Sequence, residues 1–239
     1  MRVATMPDFR LTPIGYLATP FTDRFGIPRQ PRLVRHARGH LRLIPPYDRP
    51  EAVRGLESFS HLWLSFVFHQ TAGRWSPTVR PPRLGGNRRV GVFASRSPFR
   101  PNPLGLSLVE LLAIDTHKGV LLTLGGVDLL DGTPILDIKP YLPFIESEPT
   151  ARSGFVDGPP MVLTVEFSTP SVRQLQQFQK RWPDLEELLR EVLAQDPRPA
   201  YASDPQRTYG FRLYDLEIKW RCRGRLALVE DISAAVDAP

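Results

Sequence analysis

The stretch Ser95-Arg96-Ser97-Pro98-Phe99-Arg100-Pro101-Asn102-Pro103-Leu104-Gly105 sets three prolines between two apolar runs, Val90–Ala94 and Leu106–Leu112. Proline lacks a backbone donor and fixes its own φ, so neither a helix nor a sheet ladder can pass through such a segment. The residue before each proline is driven to extended geometry. The stretch therefore reads as a stiff connector of fixed shape joining two strands. It carries two guanidiniums, two hydroxyls and a side-chain amide. One reading is a rigid turn with solvated arginines. The other is a preorganised polar cradle in which Arg96 or Arg100 holds an anionic or carboxylate group.

A chain of 239 residues allows one large domain, or a domain of about 150 residues with a smaller partner. No apolar run reaches the ~18 residues of a membrane span, and the first residues lack the apolar core of an export signal. The single cysteine, Cys222, excludes an internal disulfide and a cysteine-based zinc cluster. A passive thiol in a reducing cytoplasm is the expectation. Charge is uneven: residues 1–110 hold 17 Lys+Arg against 6 Asp+Glu, while the whole chain has a net charge of +6. The arginine-rich half points to a polyanion such as nucleic acid, against the alternative of scattered, solvated arginines.

Short strands follow one another through the first part of the chain. Ile14–Thr19 ends at Pro20, and Ala37–Ile44 alternates apolar and polar residues before Pro45-Pro46. His61–Gln70 reads as a strand buried on both faces that finishes in two polar side chains. Residues 71–89 form a long loop of prolines, glycines and arginines, a kind of loop that is more often functional than not. Strands are expected at 90–94, 105–114 and 119–125, and Asp131-Gly132 marks a tight turn before Ile135–Tyr141. The fold class expected is mainly β: an N-terminal β-barrel without a doubly wound cofactor domain, over residues 10–148, followed by a small α+β domain over 158–239. The linker lies around 145–160. In the second unit a strand over Met161–Ser168 leads to a helix capped at Thr169-Pro170. Leu185, Leu188, Leu189, Val192 and Leu193 then repeat at helical spacing as core positions. Tyr214, Leu216, Ile218 and Trp220 share one face of a later strand.

No motif for metal ligation, for a serine nucleophile or for phosphate binding by a glycine-rich loop is present, and no metal is expected. The chain does carry a set of collinear phrases. They are Pro28-Arg29-Gln30; Phe59-Ser60-His61-Leu62-Trp63 with Phe66-Val67-Phe68-His69-Gln70; Arg80-Pro81-Pro82-Arg83-Leu84-Gly85-Gly86-Asn87; the Ser95–Gly105 connector; Asp128-Leu129-Leu130-Asp131-Gly132-Thr133-Pro134; and Asp137-Ile138-Lys139-Pro140-Tyr141. In these the sequence resembles the TsaA-like, or TrmO, family of tRNA adenine-N6-methyltransferases. The resemblance continues through Ala194–Tyr201 and Tyr214-Asp215 and covers nearly the whole chain.

The resemblance implies an S-adenosylmethionine-dependent enzyme on a TsaA-like β-barrel, cytoplasmic and homodimeric. It would methylate N6 of threonylcarbamoyl-adenosine beside the anticodon, at position 37, chiefly in threonine tRNA. The family's cofactor positions fall on Pro28, Arg29, Gln30, His69, Gln70, Arg96, Leu106, Asp131, Gly132, Thr133 and Pro134. Arg96 is then expected on the cofactor carboxylate and Leu106 over its adenine. Methyl transfer chiefly requires alignment. Since N6 must also lose a proton, a weak base is expected: Asp137, Tyr141 or the substrate's own carboxylate. The anticodon stem-loop is expected to meet Arg80, Arg83, Arg88 and Arg89 of the basic loop, and Arg198 and Tyr201 of the second domain. The rival readings are a non-catalytic RNA-binding barrel recognising anticodon loops, and a hydrolase or other enzyme acting on a small cationic or adenosine-like ligand.

Overall fold

The computed structural model describes residues 10–156, 158, 160–198 and 204–236. Six strands close into an antiparallel barrel: β1 (Gly15–Ala18), β2 (Arg38–Leu43), β3 (His61–Val67), β6 (Leu104–Asp115), β7 (Leu121–Gly125) and β8 (Thr133–Pro140). The order around the barrel is β1-β2-β7-β6-β3-β8, with β8 returning to β1. Alternation drives the closure. In β2, Gly39, Leu41 and Leu43 are buried while Arg38, His40 and Arg42 face solvent. β3 departs from the expectation of burial on both faces: only Leu62, Leu64 and Phe66 are fully inside, and Trp63, Ser65 and Val67 stay half-exposed on the outer wall.

A small ribbon of β4 (Thr78–Val79) and β5 (Val90–Gly91) stands apart from the barrel. The expected strand 90–94 is thus cut short, because Val92–Ala94 makes a 3-10 turn before the connector. The connector's shape is fixed by its own side chains. Ser95 Oγ donates to Val92 O at 2.8 Å, and the Ser95 and Ser97 hydroxyls accept from the Ser97 and Phe99 amides at 3.3 Å. The Arg100 guanidinium donates to Ser95 O at 2.9 Å and Val92 O at 3.3 Å.

After the short helix α1 (Pro143–Glu146) the second unit begins with β9 (Thr164–Phe167), followed by α2 (Thr169–Phe178) and α3 (Leu185–Ala194). The cap of α2 is Ser168 rather than Thr169, its Oγ accepting from Ser171 N, with Pro170 in the first turn. Strands β10 (Thr208–Leu213), β11 (Leu216–Arg223) and β12 (Leu226–Ala234) complete a sheet in the order β10-β11-β12-β9, with β9 parallel to β12. Leu185, Leu188, Leu189, Val192 and Leu193 of α3 are all buried, as their spacing requires.

A single buried apolar cluster runs from Leu17, Leu64 and Leu122 in the barrel to Leu189, Ile218 and Trp220 beyond it. Polar ties cross between the units as well. Tyr214 N donates to Pro20 O at 2.7 Å, and Glu191 accepts from the His36 backbone and faces its ring, each at 2.9 Å.

Candidate active site at one mouth of the barrel

Because every pairing in the barrel is antiparallel, the C-terminal ends of β1, β3 and β7 lie at the same mouth as the N-terminal ends of β2, β6 and β8. The loops at that mouth are 19–37, 68–103 and 126–132. These loops and the strand ends beside them hold Pro28-Arg29-Gln30, His69-Gln70, Arg96, Leu106 and Asp131–Pro134. The topology therefore brings all the expected cofactor positions to one end of one barrel.

The segment 126–132 must cross that mouth, since it leads from β7 to β8 past β6 and β3. Val127 and Leu129 turn inward and plug the barrel, 1% and 2% exposed. Backbone and side-chain bonds fix the crossing: Arg32 N to Gly126 O at 2.9 Å, Asp131 N to Phe21 O at 2.8 Å, and Gly132 N to Leu17 O at 2.9 Å. Asp131 Oδ1 accepts from Thr19 N at 2.8 Å, and Thr133 Oγ1 donates to Leu130 O at 2.6 Å. Gly132 sits at φ +73°, a left-handed conformation that the tight Asp-Gly turn needs. Asp131 and Thr133 therefore act first as the braces of a turn whose outer surface is open.

The other loops are laced to this platform. Gln30 accepts from the exposed Arg96 guanidinium, and Gln70 Oε1 accepts from Arg24 Nε at 2.5 Å. Thr71 Oγ1 donates to Pro98 O at 3.1 Å, which joins the His69-Gln70 turn to the connector. The connector's two arginines differ in what they bond. Arg100 is consumed by its own loop's carbonyls, and Arg96 is the one directed to the mouth. Leu106 stands outward, 51% exposed.

Asp128 is the residue that reading the sequence missed. Its carboxylate accepts from Ser107 Oγ at 2.5 Å, and Ser107 is fully buried. The protein packed around Asp128 raises its pKa to about 6; the Ser107 hydrogen bond and the Arg96 charge only partly oppose that rise. The signal was present. In Leu106-Ser107-Leu108-Val109 the serine keeps the inward phase of buried Val109, and a polar side chain in an inward register needs a partner.

Two expected residues are not gathered at the mouth. Asp137 lies on the outer wall opposite Ser65, where its Oδ2 meets Lys139 Nζ at 2.5 Å. Tyr141 follows the far end of β8, packed edge-on against Trp63 and His61, about 25 Å of strand from Thr133. Arg80, Arg83, Arg88 and Arg89 are all exposed on the loop around β4 and β5. Arg198 is held bidentately by Asp196, Nε–Oδ1 at 2.7 Å and Nη2–Oδ2 at 2.8 Å, with its side chain only 15% exposed. Arg29 donates to the carbonyls of Asp196 and Arg198 at 3.3 and 3.5 Å, so that loop of the second unit borders the mouth. Tyr201 lies outside the described residues. Among the described residues no cluster of His, Cys, Asp and Glu is arranged to hold a metal ion, and no helix is long and apolar enough to cross a membrane.

Comparison with known proteins agrees with this architecture along the chain. Residues 16–147 match the model of the tRNA-methyltransferase O N-terminal domain, and residues 160–235 match that of the TrmO C-terminal domain. The chain is 53% identical to the tRNA (adenine(37)-N6)-methyltransferase of Escherichia coli K12, covering 90% of this chain and 94% of that protein. It is 49% identical to a putative S-adenosylmethionine-dependent methyltransferase of Pseudomonas aeruginosa, covering 88% and 91%. The crystal structure of TrmO from Pseudomonas aeruginosa superposes with a TM-score of 0.82 at 41% identity, over 95% of this chain and 99% of that one. On both domain matches and on identities of this size over nearly the full length, the chain belongs to the TrmO family.

Proposed function

We propose that the protein is an S-adenosylmethionine-dependent tRNA methyltransferase acting on N6 of the adenosine at position 37. The substrate nucleoside is N6-threonylcarbamoyladenosine, chiefly in threonine tRNA. The observation that carries this reading is the convergence of five separate sequence phrases on one barrel mouth, in a chain with close relatives named for this reaction.

The donor set at the mouth fits the cofactor's chemistry. S-adenosylmethionine has a carboxylate, an ammonium, ribose hydroxyls and an apolar adenine face. The mouth offers a guanidinium at Arg96, amides at Gln30 and Gln70, carboxylates at Asp128 and Asp131, and an outward leucine at Leu106. When bound, the cofactor supplies a methyl group activated by its sulfonium. Arg96, oriented by Gln30, would hold the carboxylate. The 131–134 turn would present backbone groups to the ribose, with Pro28, Arg29 and His69 closing the sides. The residues' main task is alignment of N6 with the methyl group. The carbamoyl substituent acidifies the N6–H, so a weak base suffices. Asp128 suits that task better than Asp137 or Tyr141, because it stands at the mouth with a pKa of about 6 and is ionised at neutral pH.

The barrel is read as the cofactor-binding and catalytic domain, and the second unit as a contact for the tRNA through its 196–198 loop, which Arg29 ties to the mouth. A homodimer is part of the reading. It is supported by Phe144 and Ile145 of α1, which project apolar side chains 84% and 71% exposed. A cytoplasmic setting is supported by the lone, buried thiol of Cys222.

The test is methyl transfer from S-adenosylmethionine to threonylcarbamoylated tRNA by the purified protein, read by nucleoside mass spectrometry. The expected product is N6-methyl-threonylcarbamoyladenosine. Binding of the tRNA with no methyl transferred would return the chain to a non-catalytic RNA-binding barrel.

A further inference from the structure

From Ser58 to Val109 the chain contains no aspartate or glutamate and has seven arginines: Arg74, Arg80, Arg83, Arg88, Arg89, Arg96 and Arg100. Much of this acid-free stretch forms an arm built on the β4–β5 ribbon. Its tip turns through Gly85 and Gly86, both at positive φ, and exposes Arg80, Arg83 and Arg88, which make no ion pair among the described residues.

The base of the arm carries three aromatics in the open. Phe93 is 77% exposed, Trp75 59% and Phe99 41%. The segments that carry them run side by side, since Ser76 N donates to Phe99 O at 3.3 Å and Val92 N to Pro77 O at 3.0 Å. The Arg100 guanidinium lies 5.7 Å from the Phe93 ring centre, and its bonds to Val92 O and Ser95 O hold it there. The rings are thus carried by a segment locked by prolines and serine hydroxyls. Large apolar rings left bare at a protein surface mark a binding face. The stretch that carries these rings supplies cations and no anion, which suits a polyanion with flat apolar surfaces. A second copy of this arm is a poor partner, because isologous pairing would set arginine against arginine.

We infer that Trp75, Phe93 and Phe99 form a stacking platform for unpaired bases of the tRNA anticodon loop. The platform rests on the methyltransferase reading above and extends it. Single-stranded bases stack on aromatic rings whatever their sequence, while arginines track the phosphates. The arm joins the connector that carries Arg96, so a loop held on these rings would deliver its neighbouring adenosine to the barrel mouth.

The test uses the full-length protein, an anticodon stem-loop RNA and whole tRNA. Phe93→Ala and Trp75→Ala are each expected to weaken RNA binding, and to raise KM for tRNA, by about 5- to 100-fold. Binding of S-adenosylmethionine alone, measured by calorimetry, stays unchanged. Phe93→Trp keeps the affinity, and Trp75 fluorescence is quenched by RNA, with Trp75→Phe as the blank. The dependence of binding on salt keeps its slope in the aromatic variants, because stacking releases no counterions. It becomes shallower in Arg80→Gln/Arg83→Gln. Wild-type methylation of tRNA with undiminished RNA binding by both alanine variants, or dissociation of a dimer by them with RNA binding intact, overturns the platform and leaves the reaction standing. Absence of any tRNA binding by the wild type overturns both.

Discussion

Replacing Asp128 with asparagine separates burial from charge at the centre of the mouth. The carboxyl's pKa stands at about 6 in the folded protein against an ordinary aspartate value of 3.8. The folded state therefore holds this proton more tightly than the unfolded chain does. Stability contributed by that preference is full below about pH 4 and is lost as the pH rises through 6. A rise of roughly 2 units corresponds to about 3 kcal/mol, at ~1.36 kcal/mol per unit. Roughly half of it is lost between pH 5 and pH 8. Asparagine keeps an acceptor for the Ser107 hydroxyl, which donates to Asp128 Oδ1 in the wild type, but does not titrate. Urea unfolding of both proteins at pH 5 and pH 8 measures the difference. Asp128→Asn is expected to gain about 1.5 kcal/mol on the wild type over that interval and to lose methyl transfer while still binding tRNA. Parallel pH dependences would refute the claim that burial dominates this carboxyl. Full turnover in the variant would refute its role as the base.

Two further substitutions probe the mouth. Arg96→Ala is expected to weaken cofactor binding about 10- to 100-fold by calorimetry, as loss of a charge-assisted contact should. Arg100→Ala should instead cost about 1 kcal/mol of stability through the unpaired carbonyl of Ser95 and leave binding nearly intact; the reverse pattern would invert the assignment of the two arginines. Gly105→Ala would drive a methyl into the Phe66 ring, which is 7% exposed and set edge-on against Phe68 at 4.9 Å. A loss of about 1–3 kcal/mol in urea unfolding is expected, partly recovered by Phe66→Leu, and an unshifted midpoint would show that the ring yields freely.

The barrel was legible because short strands follow one another with almost no helix between them, and alternation such as that of β2 fixes which face turns inward. The connector was legible for a different reason: proline chemistry is local and needs no tertiary partner. What stayed hidden was pairwise. Nothing along the chain distinguishes Arg96 from Arg100, since the difference lies in which carbonyls each can reach. Asp128 went unnoticed beside the louder Asp131-Gly132 turn, because its meaning depends on Ser107, distant in sequence and adjacent only once β6 and the crossing segment are in place. Asp137 and Tyr141 are candidate bases on residue type alone, beside the substrate's own carboxylate. Strand geometry carries Asp137 onto the outer wall and Tyr141 to the far end.

A closed antiparallel barrel has two ends, and in this one the loops argued to do chemistry crowd a single end. The opposite end holds the 116–120 hairpin between β6 and β7, where Gly119 turns at φ +79° and His117 and Lys118 are exposed. Its connections meet no residue assigned to the cofactor, and surface hairpin tips accept extra chain readily. A reporter peptide or fluorophore could be inserted there with both the mouth and the basic arm left untouched. Lineages of this fold are correspondingly free to lengthen that end without retuning the reaction at the other.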